Sequence, residues 1–96
     1  MGSNEIKALA AVLNARTYLA LELDGHADRR GGYQVNMELS KQRARAVLTA
    51  AVDFGVPVDK FRAVRGWSYD HPLVQGTGPE VWGRNRRVEL RVITEP

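Results

Sequence analysis

The chain has 96 residues, 44% hydrophobic and 26% charged, with a formal net charge of +3. That length supports one small domain with a single core, and no apolar run approaches the ~20 residues that span a bilayer as a helix. The absence of cysteine excludes a disulfide framework, a thiolate metal site and a cysteine nucleophile.

Met1-Gly2-Ser3 has the character of a cloning remnant, so the natural start and any export signal are expected to be missing. From Asn4 to Ala15, Ile6, Leu9, Ala10 and Leu13 recur at helical spacing and predict an amphipathic helix. "TYLALELD" then changes to period two. Leu19, Leu21 and Leu23 point one way and Tyr18, Glu22 and Asp24 the other, which predicts a strand with one buried face.

Gly25, Gly31 and Gly32 punctuate the loop that follows. A second helix is expected from about Asn36 to Phe54, with Asn36 as its N-cap and Glu38 at the positive end of its dipole. Ala44, Val47, Leu48 and Ala51 supply its core stripe, and Gly55 with Pro57 ends it.

"FRAVRGW" (61–67) predicts a second strand, and "DHPLVQGTGPE" a long loop. "RRVELRVI" (86–93) is the clearest strand, with Val88, Leu90 and Val92 on one face and Arg87, Glu89 and Arg91 on the other. Helix, strand, helix, strand, strand, with one-sided strands, implies an open two-layer α/β sandwich: a mixed sheet covered by helices on one face.

The chemistry-bearing residues divide unevenly. His26 and Asp28, two apart in "LDGHADRRGG", would need further metal ligands, and Asp70 and His71 supply no helical i, i+4 pair. The simpler expectation for His26 is an imidazole bonded to loop backbone, with no metal. Ser40 and Ser68 lie outside any G-x-S-x-G elbow, and "GHADRRGG" lacks the glycine spacing of a phosphate loop. "RNRR" (84–87) and Arg91 suggest a nucleic-acid stripe. Alternation, however, places Arg87 and Arg91 beside Glu89 on a face of mixed charge, and two tryptophans and three tyrosines do not interleave with the basic groups.

Asp28 and Arg43 stand out. Arg43 lies two turns into the predicted helix, on the face it shares with Leu39, with Asn36 at the cap. Two arrangements fit that spacing. One is a plain Asp28–Arg43 ion pair pinning the loop. The other is a cleft for a zwitterion, with Asp28 taking an ammonium and Arg43 a carboxylate.

"GHADRRGGYQVNMELSKQRARAV", "GV", "RGWSYDHP" and "NRRVEL", in that order, resemble the OmpA-like C-terminal domain family. The family pattern GH-[TA]-D, an asparagine eight residues after that Asp, LS-x-x-RA and NRRVE is met by Gly25–Asp28, Asn36, Leu39-Ser40, Arg43-Ala44 and Asn85–Glu89. Ala27 stands where many members carry threonine, a variation also seen in the peptidoglycan-associated lipoprotein branch. The resemblance covers about residues 17–93.

It implies a non-catalytic module of the periplasm or cell envelope, without cofactor, that tethers a larger protein to the wall by binding the peptidoglycan stem peptide. Asp28 and Arg43 would grip diaminopimelate, and Asn36 and Leu39 would line the same pocket. Any membrane attachment would reside in other parts of the parent protein. Family members usually place a strand before the first helix. Here the chain starts almost directly in the helix, so an open sheet edge and a homodimer through it are expected. Two alternatives remain: a scaffold domain of a secretion or motility assembly that does not bind peptidoglycan, and a nucleic-acid binder using Arg84, Arg86, Arg87 and Arg91.

Overall fold

In a computed structural model, residues 2–94 are described. The chain runs α1 (Ser3–Ala15), β1 (Leu19–Gly25), α2 (Tyr33–Asp53), a 3-10 turn (Val58–Lys60), β2 (Phe61–Gly66), α3 (Pro79–Asn85) and β3 (Val88–Thr94). The three strands form one mixed sheet in the order β2-β1-β3. β1 is central, parallel to β2 and antiparallel to β3.

The alternation in β1 organises the core. Leu21 and Leu23 point to the helical layer and are fully buried, each contributing roughly 1.5–3 kcal/mol relative to exposure. Leu21 packs with Ile6, Ala10 and Leu13 of α1 and Ala51 of α2. Leu23 packs with Ala44 and Val47 of α2. Both helices therefore cover the same face of the sheet, and Phe61 and Leu90 touch both clusters. No helix among the described residues is long and apolar enough to cross a membrane.

The opposite face carries charge. Arg65 reaches Glu22 (3.3 Å) and Asp24 (2.9 Å), and Arg91 reaches Glu22 (3.6 Å). This is the mixed-charge face expected from the alternation.

α2 sits unusually close to the strand ends. Gly25 and Gly66 pair across β1 and β2. A Cβ on Gly25 would fall 1.9 Å from the Ser40 carbonyl oxygen, and one on Gly66 would fall 2.6 Å from the Lys41 amide nitrogen. Glycine is required at both positions because helix backbone occupies the space a side chain would fill. Ser40, fully buried, seals this contact by donating to the Met37 carbonyl (2.8 Å) and accepting from the Ser68 amide (3.0 Å).

Several expectations are corrected. α2 begins at Tyr33 with Gly32 as N-cap, so Asn36 is inside the helix and Glu38 lies beyond its first turn. Gly31, in the left-handed region at φ 82, turns the chain early enough to start the helix there. At the other end the expectation holds in substance. Gly55 has φ 97, and the Gly55 and Val56 amides donate to the Val52 and Ala51 carbonyls, which is a Schellman closure.

The segment expected as one long loop ends in α3, which has Pro at its first turn and a Glu80–Arg84 pair one turn apart. In β3, Val92 pairs opposite Leu21 but lies beyond the cover of the helices and is 49% exposed. Ile93, opposite Ala20, is half-buried.

Candidate functional site

The segment leaving β1 is stitched to both neighbouring strands. The Trp67 amide donates to the Gly25 carbonyl (3.0 Å), the His26 amide to Arg87 (2.7 Å) and the Ala27 amide to Ser68 (2.8 Å). These bonds carry the chain inward, so Ala27 and Asp28 are buried at 2% and 5% exposure.

A buried carboxylate needs partners, and Asp28 finds them nearby. It accepts the Arg30 backbone amide (2.9 Å) and both arms of the Arg30 guanidinium fork (3.0 and 2.9 Å). Arg86 stands 3.7 Å away. The Arg30 hydrogen bonds, opposed by burial and helped by the charges of Arg30 and Arg86, hold the Asp28 carboxyl below its ordinary value. The Arg30 guanidinium in turn lies 4.4 Å from the centre of the Trp82 ring of α3, a cation–π contact.

Arg43 approaches the same loop from α2. It donates to the His26 carbonyl (3.0 Å) rather than forming the ion pair with Asp28 that spacing allows. Burial, then the charge of Arg86, push its ionisation below the usual guanidinium value, while Asp28 acts in the opposite sense. Asp28, Arg43 and Arg86 therefore share one electrostatic neighbourhood.

Asn36, 4% exposed, staples the loop to the helix through donations to the Arg30 (2.6 Å) and Gly32 (3.1 Å) carbonyls. Leu39, 40% exposed, lies on the same helical face between Asn36 and Arg43. Asp28, Asn36 and Arg43 thus converge on residues 26–32, with Leu39 presented to solvent beside them.

Sequence reasoning missed Arg30, Arg86 and Trp82. Arg30 had a local signal, since a donor two residues after a buried Asp closes a tight turn. Arg86 and Trp82 had none, because they arrive through the fold. Their positions depend on Asn85, 3% exposed, which accepts the Leu73 and Val74 amides (2.8 and 3.0 Å) and donates to the Val74 carbonyl (3.0 Å). Within the Asn-Arg-Arg run, Asn85 therefore has a structural role, whereas Arg86 faces the site.

His26 also departs from expectation. Its ring extends the outward alternation of β1 onto the charged face of the sheet, and neither ring nitrogen has a hydrogen-bond partner among the described residues. The bond to loop backbone expected of the imidazole is made by the His26 amide instead. Burial, then the charge of Arg87, lower its pKa and favour the neutral ring.

With this geometry in place, comparison with known proteins is informative. The OmpA family model matches residues 2–86. The chain is 34% identical over 89 residues to the probable lipoprotein YiaD of Escherichia coli, covering 93% of this chain and 40% of that protein. It is 38% identical over 69 residues to the peptidoglycan-associated lipoprotein of Pseudomonas aeruginosa, covering 72% and 40% respectively. The chain thus spans about 40% of the length of each of these relatives. Its fold superposes on the crystal structure of the peptidoglycan-associated lipoprotein from Burkholderia pseudomallei with a TM-score of 0.91. That match has 24% identity and covers 95% of this chain and 76% of that one.

Proposed function

The chain belongs to the OmpA family, and from that premise we propose that it is a non-catalytic peptidoglycan-binding module of the bacterial envelope. Its ligand is the diaminopimelate of the stem peptide, and its task is to hold a larger protein to the wall. The observation that carries this reading is the opposed pair at residues 26–43: a buried, ionised Asp28 and a partly buried Arg43 that face one loop without neutralising each other.

Diaminopimelate ends in a free ammonium and a free carboxylate on one carbon. The ammonium replaces the Arg30 guanidinium at Asp28, and the carboxylate takes Arg43 in a charge-assisted bond. Arg30 keeps its place over Trp82. Leu39 packs against the methylene chain. A lysine at the same peptide position brings the ammonium but leaves Arg43 without its anion, and an uncompensated, partly buried charge disfavours it. The names of the P. aeruginosa and B. pseudomallei relatives support peptidoglycan as the partner.

Calorimetric titration of the whole chain with a diaminopimelate muropeptide and its lysine counterpart tests the proposal. Saturable binding of the first, weaker binding of the second, and a loss of about 30-fold or more in Arg43→Ala are expected. Equal affinity for both peptides refutes the zwitterion grip. No saturable binding of either favours the scaffold reading.

A further inference from the structure

A hollow opens on the other face of the sheet, away from Asp28. Asp24, His26, Trp67, His71 and Glu89 wall a cleft of about 270 Å³. Through Asp24 and Glu89 it continues into a basin of about 440 Å³ lined also by Leu90 and Arg91.

His26 makes this more than a surface dent. Its side chain is only 4% exposed, yet both ring nitrogens lack a hydrogen-bond partner among the described residues. A native interior seldom leaves such a group unsatisfied, and a site awaiting a ligand is one reason for it. The groups beside the ring are solvent-exposed. Glu89, 52% exposed in its side chain, places Oε1 3.4 Å from His26 Nε2. The ring of His71, also exposed, stands edge-on at 6.3 Å. Arg87, immediately before β3, donates to the His71 carbonyl (3.0 Å), which holds that residue at the cleft.

The charge balance selects the ligand class. Asp24 accepts Trp67 Nε1 (2.8 Å) and Arg65 Nε (2.9 Å), and Glu89 accepts Arg87 Nε (3.0 Å). Each carboxylate already has a guanidinium, which leaves little net attraction for an ammonium or an anion. What remains is hydrogen-bonding capacity beside aromatic surface. A neutral imidazole offers one donor and one acceptor, either of which can pair with a sugar hydroxyl, and the carboxylates retain further lone pairs. Trp67 and His71, edge to face at 4.9 Å, supply the apolar wall that the C–H face of a sugar ring needs.

We propose that this cleft binds a neutral pyranose ring, with His26 and Glu89 taking its hydroxyls and Trp67 and His71 its apolar face. The site is separate from Asp28 and Arg43, and the proposal stands without the peptide-binding reading.

The test is a nuclear magnetic resonance titration of the intact chain with N,N′-diacetylchitobiose, following the Trp67 indole N–H and the His26 and His71 ring protons. Saturable shifts at these signals are expected. Affinity should fall about fivefold in Glu89→Ala, through the loss of one ordinary hydrogen bond, and in His71→Ala, through the loss of one aromatic wall. Both alter exposed side chains and should leave the fold intact. Absence of saturable shifts, or shifts that survive both cleft variants unchanged, overturns the proposal. So does saturation by methylammonium in place of the sugar, which would mark an amine site.

Discussion

Replacing Gly25 with alanine tests the seating of α2, on which the candidate site depends. The added Cβ would lie 1.9 Å from the Ser40 carbonyl oxygen, whereas ordinary contact begins at 3.4 Å. The helix must therefore withdraw by about 1.5 Å, the difference between those two distances. Both colliding groups are backbone, so no side-chain rotation relieves the overlap. Overpacking costs typically ~1–3 kcal/mol, and this case belongs at the upper end. For a domain of this size ~3 kcal/mol lowers the melting temperature by roughly 12–24 °C. Gly32→Ala is the control. Nothing lies within 4 Å of its added Cβ, its φ of -78 suits alanine, and its change should cost only the difference between glycine and alanine at an N-cap, about 1 kcal/mol. Thermal melts followed by circular dichroism compare the two. If Gly25→Ala melts within a few degrees of the parent chain, the backbone contact between β1 and α2 is not what sets the position of Arg43.

The remaining predictions concern the loop and its clasp. Asp28 is held below its ordinary value of 3.8, first by the Arg30 side chain. Its contribution to stability is therefore present above pH 3.8 and is lost as pH falls through the lower folded value. Urea unfolding of Asp28→Asn should accordingly show a shallower loss of stability below pH 3.8 than the parent, and identical slopes would contradict the pairing. Asn85→Ala leaves the Leu73 and Val74 amides without their acceptor and should cost about 1–3 kcal/mol. Amide exchange at those two residues should accelerate selectively, and unchanged protection would show that Asn85 does not hold the 70–78 segment.

The residues differ in how plainly they announced their roles. Leu19, Leu21 and Leu23 define β1 by alternation alone, because one face of an antiparallel or mixed sheet must be apolar. Ile6, Ala10 and Leu13 define α1 in the same way. Asn36 misled for a reason rooted in its chemistry. The amide that suits a helix cap serves equally well, one turn inside the helix, as a staple to the loop it follows. α3 was hidden because Gly76, Gly78 and Pro79 at its start and Gly83 within it mask a helix of seven residues. Its Pro79, Glu80 and Arg84 were the available signals. At the candidate site, Asp28 and Arg43 were legible through their spacing and family pattern. Arg86 and Trp82 were not, since only the return of the chain through β3 and α3 brings them there. Nor was the unsatisfied ring of His26, because hydrogen-bond satisfaction belongs to the folded chain.

The bidentate hold of Arg30 on Asp28 has a consequence for kinetics and selectivity. A cationic visitor at that carboxylate meets a seat already taken, so its arrival is an exchange of one guanidinium for another cation. The free energy of docking is then only the margin between two similar contacts. Discrimination must come from whatever else the visitor offers. On the proposed reading, an incoming group with nothing for Arg43 would gain little over Arg30, which closes the turn on Asp28.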